Sequence, residues 1–180
     1  MAHARGNFIL VTGGTRSGKS RFAIDLAKRW GRRIAYLATC APADQEMRQR
    51  IRRHRRERPG HWRTIEHPAD PVQTLLRLEG RTDGLIVDCL TMYIAALLVD
   101  DHPDATIQQR VRRLCEAARR SSYPVVMVTN EVGSGVVPDH VLGRRFRDVA
   151  GWANQTAAAA ADQVFWLVAG LPMRVKGDGS

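Results

Sequence analysis

The chain is poor in cysteine, aromatic residues and acidic charge, and it holds no long apolar run. Its three cysteines, Cys40, Cys89 and Cys115, are odd in number and lack metal-ligand spacing. That argues against a disulfide scaffold or a zinc module and for buried thiols. No stretch reaches the roughly 20 apolar residues of a membrane span, and residues 1–6 carry no apolar signal core, so the expected location is the cytoplasm. No linker, repeat or low-complexity tract divides the 180 residues. The length suits one α/β domain over residues 1–180, with flexible ends expected at 1–6 and 177–180. Aromatics make up 6% of the chain, and few of them interleave with the basic runs. The shortage of acid is marked: Lys+Arg 28 against Asp+Glu 18 leaves a formal charge of +10. Such a surplus points to anionic ligands, with nucleic acid among the classes to be weighed.

Against these absences stands one dense motif. Gly13-Gly14-Thr15-Arg16-Ser17-Gly18-Lys19-Ser20 follows the apolar run Phe8–Val11 and precedes Phe22, Leu26 and Trp30 at helical spacing. Strand, G-x-x-x-x-G-K-[ST] loop and helix form the context of a phosphate-binding loop. The glycines let backbone N–H groups turn around a phosphate chain, Lys19 reaches the β/γ-phosphates and the Ser20 hydroxyl ligates Mg²⁺. The helix after the loop directs its positive end at the anion.

The remaining pattern alternates between strands and helices. Ile34–Thr39, Gly84–Asp88, Pro124–Thr129 and Gln163–Ala169 read as strands buried on both faces, as parallel sheets require. His61–Glu66 reads as an extended edge segment, and Met173–Lys176 as the return of an antiparallel hairpin. Helices are expected over Asp44–Arg58, from an Asp70 N-cap with Pro71 through Leu75, Leu76 and Leu78, over Thr91–Val99, along Ile107, Val111, Leu114 and Ala118, and through Pro138–Ala161. Asp88 closes an apolar strand, which in a phosphate-loop protein is the position of the acid that holds the Mg²⁺ shell. Asn130 and Glu131 follow another strand at the ligand-binding edge of such sheets. The nearly all-apolar Thr91–Val99 reads as a core helix or a subunit contact.

The basic helix carries Met47, Ile51 and His54 on one face, turned toward the body of the protein. An interfacial histidine on a solvated helix explains that pattern without any chemistry. A nucleophile explains it too, because the neighbouring arginines attract phosphate.

Taken together, GGTRSGKS, RRHRRERPGHWRT, IVDCLT, VTNEVGSGVVP and LGRRFRDVAGWANQ resemble, in this order and from about Phe8 to Lys176, the bifunctional adenosylcobinamide kinase/adenosylcobinamide-phosphate guanylyltransferases. The resemblance implies a RecA-like phosphate-loop fold, ATP and GTP as substrates, a corrinoid acceptor and a homotrimer. It also implies a guanylylated histidine at His54. The nucleotide site it implies includes Gly13, Gly14, Thr15, Arg16, Ser17, Gly18, Lys19 and Ser20, then Thr39, Cys40 and Ala41, Arg55, Arg56, Glu57 and Arg58, Glu66 and Asp88. Lys19 and His54 would be catalytic, and Ser20 and Asp88 would hold the metal. Two rival readings are a phosphate-loop kinase without the nucleotidyl step and a basic nucleic-acid-binding NTPase.

Overall fold

The structure, a computed structural model, describes residues 6–40 and 45–177, apart from the side chains of Glu46 and Arg50. Of the ends expected to be flexible, 1–6 and 177–180, residues 1–5 and 178–180 lie outside the described residues, as do Ala41 and Asp44.

The chain runs β1 (Phe8–Gly13), α1 (Lys19–Ala27), β2 (Ile34–Ala38), α2 (Gln45–Arg56), β3 (Arg63–Glu66), α3 (Pro71–Arg77) and β4 (Gly84–Asp88). It continues through α4 (Leu90–Val99), α5 (Asp104–Arg120), β5 (Val125–Val128), α6 (Val141–Ala160), β6 (Gln163–Val168) and β7 (Leu171–Lys176). The strands form one 7-stranded sheet in the order β3-β2-β4-β5-β1-β6-β7. All neighbours are parallel except β6 and β7, which pair antiparallel. This is the mostly parallel sheet with an antiparallel edge pair that the sequence leads one to expect. β1 and β2 are not neighbours: β5 and β4 lie between them, so the connection through α1 crosses over both.

Side chains on a strand alternate between faces, and here both faces are apolar because both are covered. Phe8 and Leu10 of β1, Ala35 and Leu37 of β2, and Val125 and Met127 of β5 meet α4, α5 and α6 through Ile94, Leu114 and Ala153. Their alternates, Ile9, Val11, Ile34, Tyr36, Val126 and Val128, meet Ala23, Ile24 and Ala27 of α1 on the opposite face. The carboxyl ends of the parallel strands consequently share one edge, and the loops after β1, β2, β4 and β5 open there.

Local signals account for most boundaries. Asp70 caps α3, its carboxylate accepting from the Val72 and Gln73 amides at 2.9 and 3.2 Å, with Pro71 at the first turn. Of the leucines along it, Leu75 and Leu78 are buried, while Leu76 is 54% exposed. α1 stops at Ala27, short of the Trp30 that continues the helical spacing of Phe22 and Leu26. Trp30 lies beyond it against Gly84, where a Cβ would come within 2.4 Å of the indole ring. α4 is a core helix: Leu90, Thr91, Ile94, Leu97 and Leu98 are buried, and Val99 is left outside. α6 starts at Val141 rather than Pro138, after His140 accepts from the Gly143 amide at 2.9 Å.

Candidate active site

β1 delivers the chain into the loop through Gly13, whose φ is 150°. A Cβ there would lie 2.5 Å from the Leu167 carbonyl oxygen and 2.8 Å from Ser17 Oγ, so only glycine passes between β6 and the loop. The loop closes on itself through the Ser17 amide, which donates to the Gly14 carbonyl at 3.3 Å. It is tied to the β6–β7 turn through the Gly170 amide, which donates to the Ser17 carbonyl at 3.0 Å. Lys19 opens α1 and is 7% exposed. Its Nζ donates to the Gly14 carbonyl at 2.5 Å and to Ser17 Oγ at 3.4 Å, which stretches the ammonium across the loop beside the N-terminal end of α1.

Asp88, at the end of β4, is the meeting point of three elements. Its Oδ2 accepts from Ser20 Oγ at 3.1 Å and from the hydroxyl of Tyr36, a residue of β2. Burial, and next the negative charge of Asp88, hold the Tyr36 phenol well above its usual range, so it remains a proton donor. The Arg58 guanidinium stacks over the same ring, 3.3 Å from its centroid. Just past Asp88, the Cys89 amide donates to Thr39 Oγ1 at 2.8 Å and the Thr39 hydroxyl donates to the Cys89 carbonyl at 2.7 Å. Burial pushes the Cys89 thiol up to about 12.

Ser20 and Asp88 offer hard oxygen donors side by side. No group of three or more His, Cys, Asp or Glu among the described residues forms a cage for a metal. That combination fits Mg²⁺, which binds through one or two protein oxygens and takes the rest of its shell from phosphates and water.

A cleft of about 540 Å³ opens over this edge. Thr15, Arg16, Ser17, Gly18, Lys19 and Ser20 form one wall, and Met47, Ile51, His54, Glu57 and Arg58 form the other, with Cys40, Asp88 and Asn130 also lining it. His54 is half-buried on the face it shares with Met47 and Ile51, as the spacing along α2 requires. Among the described residues that line it cations outnumber acids, Arg16, Lys19, Arg21, Arg53 and Arg58 against Glu57 and Asp88.

Of the other expected site residues, all but Asn130 lie apart from the cleft walls. Gly13 and Gly14 shape the loop from behind, and Thr39 is buried beneath it. Arg55 is exposed and pairs with Glu66 at 3.5 Å, while Arg56 is exposed on the outer side of α2. Asn130 reaches the cleft edge, held by its amide and Nδ2 donating to Thr91 Oγ1 at 3.1 and 3.0 Å. Glu131 instead caps its own loop, accepting from the Gly133 amide at 2.6 Å. Tyr36 is the participant that sequence reasoning passed over. Its only signal is a hydroxyl-bearing residue inside a strand that is otherwise apolar.

A family model described as "Cobinamide kinase / cobinamide phosphate guanyltransferase" matches residues 9–175. The chain is 43% identical over 169 residues to the "Bifunctional adenosylcobalamin biosynthesis protein CobP" of Pseudomonas aeruginosa, covering 94% of this chain and 97% of that protein. It is 39% identical over 180 residues to the corresponding CobU of Escherichia coli, covering 93% and 99%. Among solved structures it resembles an ATPase of a bacterial type III secretion system, with a TM-score of 0.61 at 13% identity over 91% of this chain and 51% of that one. The flagellar accessory protein FlaH of Methanocaldococcus jannaschii gives 0.55 at 13% identity, over 97% and 80%. The last two likenesses concern the fold alone, that of RecA-like phosphate-loop ATPases.

Proposed function

We propose a reaction sequence for this chain from one premise: it belongs to the cobinamide kinase/cobinamide phosphate guanyltransferase family. It is a bifunctional transferase of cobalamin biosynthesis, an adenosylcobinamide kinase and an adenosylcobinamide-phosphate guanylyltransferase. In the first activity the γ-phosphate of a nucleoside triphosphate passes to the aminopropanol hydroxyl of adenosylcobinamide. The second uses GTP and, in our reading, proceeds through His54.

A neutral imidazole nitrogen of His54 attacks the α-phosphorus of GTP. An N–P bond forms, the bond to the β-phosphate oxygen breaks, and pyrophosphate leaves with the electron pair while the imidazolium gives its proton to solvent. A phosphate oxygen of adenosylcobinamide phosphate then attacks the same phosphorus. The ring takes a proton back from solvent, the N–P bond breaks with its electron pair staying on nitrogen, the neutral imidazole is restored and adenosylcobinamide-GDP is released. Splitting the transfer in this way replaces one difficult displacement with two easier ones. Lys19 and the loop amides hold the β- and γ-phosphates, and the arginines of the opposite wall stabilise charge at the α-phosphate. Mg²⁺, held by Ser20 and Asp88, supplies charge neutralisation of the triphosphate when bound.

The observation that carries the reading is the opening of His54 onto the same cleft as Lys19, Ser20 and Asp88. α-Labelled GTP tests it: label bound to the protein, stable to base and released by acid, marks a phosphorus–nitrogen bond. Label that persists unchanged in His54→Ala overturns the assignment. The kinase step needs the γ-phosphate at the acceptor and the guanylyl step needs the α-phosphate at His54, so α2 or the nucleotide shifts between them.

The chain is read as cytoplasmic, since no helix among the described residues is long and apolar enough to cross a membrane. It is read as a homotrimer, an assembly supported by the apolar outer face of the β6–β7 hairpin. Trp166, Val168, Leu171 and Met173 are 42 to 70% exposed there, and sedimentation equilibrium checks the mass.

A further inference from the structure

We infer that Tyr36 is a positioning residue for both walls of the cleft: its hydroxyl aims the Asp88 carboxylate at the metal, and its ring holds the Arg58 guanidinium for the α-phosphate. The inference rests on the reaction sequence above and deepens it by selecting one arginine.

Tyr36 cannot move out of the way. All five residues of β2 are buried, the strand is flanked by β3 and β4, and Tyr36 itself is 1% exposed. Its hydroxyl and that of Ser20 both donate to Asp88 Oδ2, while Oδ1 accepts nothing from the described residues. Two donors on one oxygen fix the carboxylate plane and leave the other oxygen to a metal at the cleft that Asp88 lines.

On the other wall, the arginines of α2 and the turn after it are not equivalent. Arg55 is engaged with Glu66, Arg56 is exposed and does not line the cleft, and Arg53 lines it but is exposed. Arg58 is half-buried, and its Nε is buried without a hydrogen-bond partner among the described residues. A buried, unsatisfied cationic donor is costly unless an anion completes it. The face of the Tyr36 ring supports it from one side, and the planar guanidinium suits both that stack and a bidentate grip on phosphate. One side chain therefore links the metal acid to the end of the histidine helix.

The test compares Tyr36→Phe, Tyr36→Leu, Arg58→Ala and Arg58→Lys with the wild type, all checked for melting temperature. Mn²⁺ binding to the GTP complex is followed by EPR, GTP affinity by calorimetry, and GMP uptake by α-label. Y36F is expected to weaken Mn²⁺ about 10-fold or more, the scale of one hydrogen bond to a charged group, while melting within several degrees of the wild type. R58A and Y36L are each expected to lower GTP affinity and the rate of GMP uptake about 10-fold or more, the scale of a desolvated cation–π contact. The double variant should show little further loss. R58K, which keeps the charge without the flat stack, should fall near R58A, and it carries the ring's half of the test if Y36L does not fold. Unchanged Mn²⁺ affinity in Y36F overturns the first half of the inference. Additive losses in the double variant, or an R58K protein indistinguishable from the wild type, overturn the second. A wild type that takes up no GMP refutes the covalent route, and the metal and GTP affinities still decide the role of Tyr36.

Discussion

Replacing Asp88 with Asn changes one atom and one charge, and the structure sets what each is worth. Asp88 Oδ2 accepts two hydrogen bonds, from Ser20 at 3.1 Å and from Tyr36. A hydrogen bond to a charged group contributes about 1.5–3 kcal/mol and one between neutral groups about 0.5–1.5 kcal/mol. An amide that turns its oxygen to both hydroxyls therefore loses about 2–3 kcal/mol of interaction, of which the relief of no longer burying a charge returns part. A net loss of about 1–2 kcal/mol lowers the melting temperature of a chain this size by about 2–8 °C. The activity should fall much further. The turned amide places an NH₂ where the other carboxylate oxygen stood, so a donor faces the metal shell in place of an acceptor. Loss of one preorganised electrostatic group at a reacting centre is worth about 10²- to 10³-fold. Kinase rate and GMP uptake, each measured against Mg²⁺ concentration with melting curves in parallel, read the two effects separately. A D88N protein with wild-type metal dependence in both reactions refutes the assignment of Asp88 as the metal acid. A melting temperature lowered by tens of degrees refutes the view that the site, rather than the fold, depends on it.

Gly13→Ala should lose GTP binding in calorimetry and about 2–3 kcal/mol of stability in chemical denaturation, because its Cβ meets the Leu167 backbone oxygen at 2.5 Å and β6 cannot yield while paired with β1. Iodoacetamide should modify Cys40 alone in the folded protein, since Cys89 and Cys115 are buried. Bound GTP should slow that reaction, because Cys40 lines the cleft; mass spectrometry of digests locates the label. Stability should decline in strong base. Burial pushes the Cys89 and Cys115 thiols from an ordinary 9.0 up to about 12, so the folded chain keeps protons that the unfolded chain releases. The loss starts as pH rises past about 9 and continues toward 12, at most about 1.4 kcal/mol per pH unit for each thiol. Melting temperatures across that range, compared with those of Cys89→Ala and Cys115→Ala, give the share of each.

Much of this architecture was legible in the residues because its signals are local. The glycines and Lys19 of the loop, Asp88 at the end of an apolar run, and Asp70-Pro71 at the start of α3 each declare a conformation from a few neighbouring positions. The helical spacing of Met47, Ile51 and His54 likewise gave the face that lines the cleft. What escaped depends on contacts between distant segments. Nothing near Tyr36 announces that its hydroxyl meets an acid 52 positions away, or that Arg58 folds over its ring. Strand order is non-local for the same reason: each β1 partner is set by sheet assembly, not by the sequence around Phe8–Gly13. The isolated charge run of α2 also hid a division of labour. Arg55 pairs with Glu66 outside the cleft while Arg58 lies within it, and helical periodicity alone does not separate those roles.

The covalent use of His54 is tested most directly by intact-mass spectrometry after incubation with GTP and Mg²⁺. The wild type should gain the mass of one GMP, and the gain should disappear on addition of adenosylcobinamide phosphate and be absent from His54→Ala. A wild type that gains nothing, or a His54→Ala protein that gains the same mass, contradicts the account.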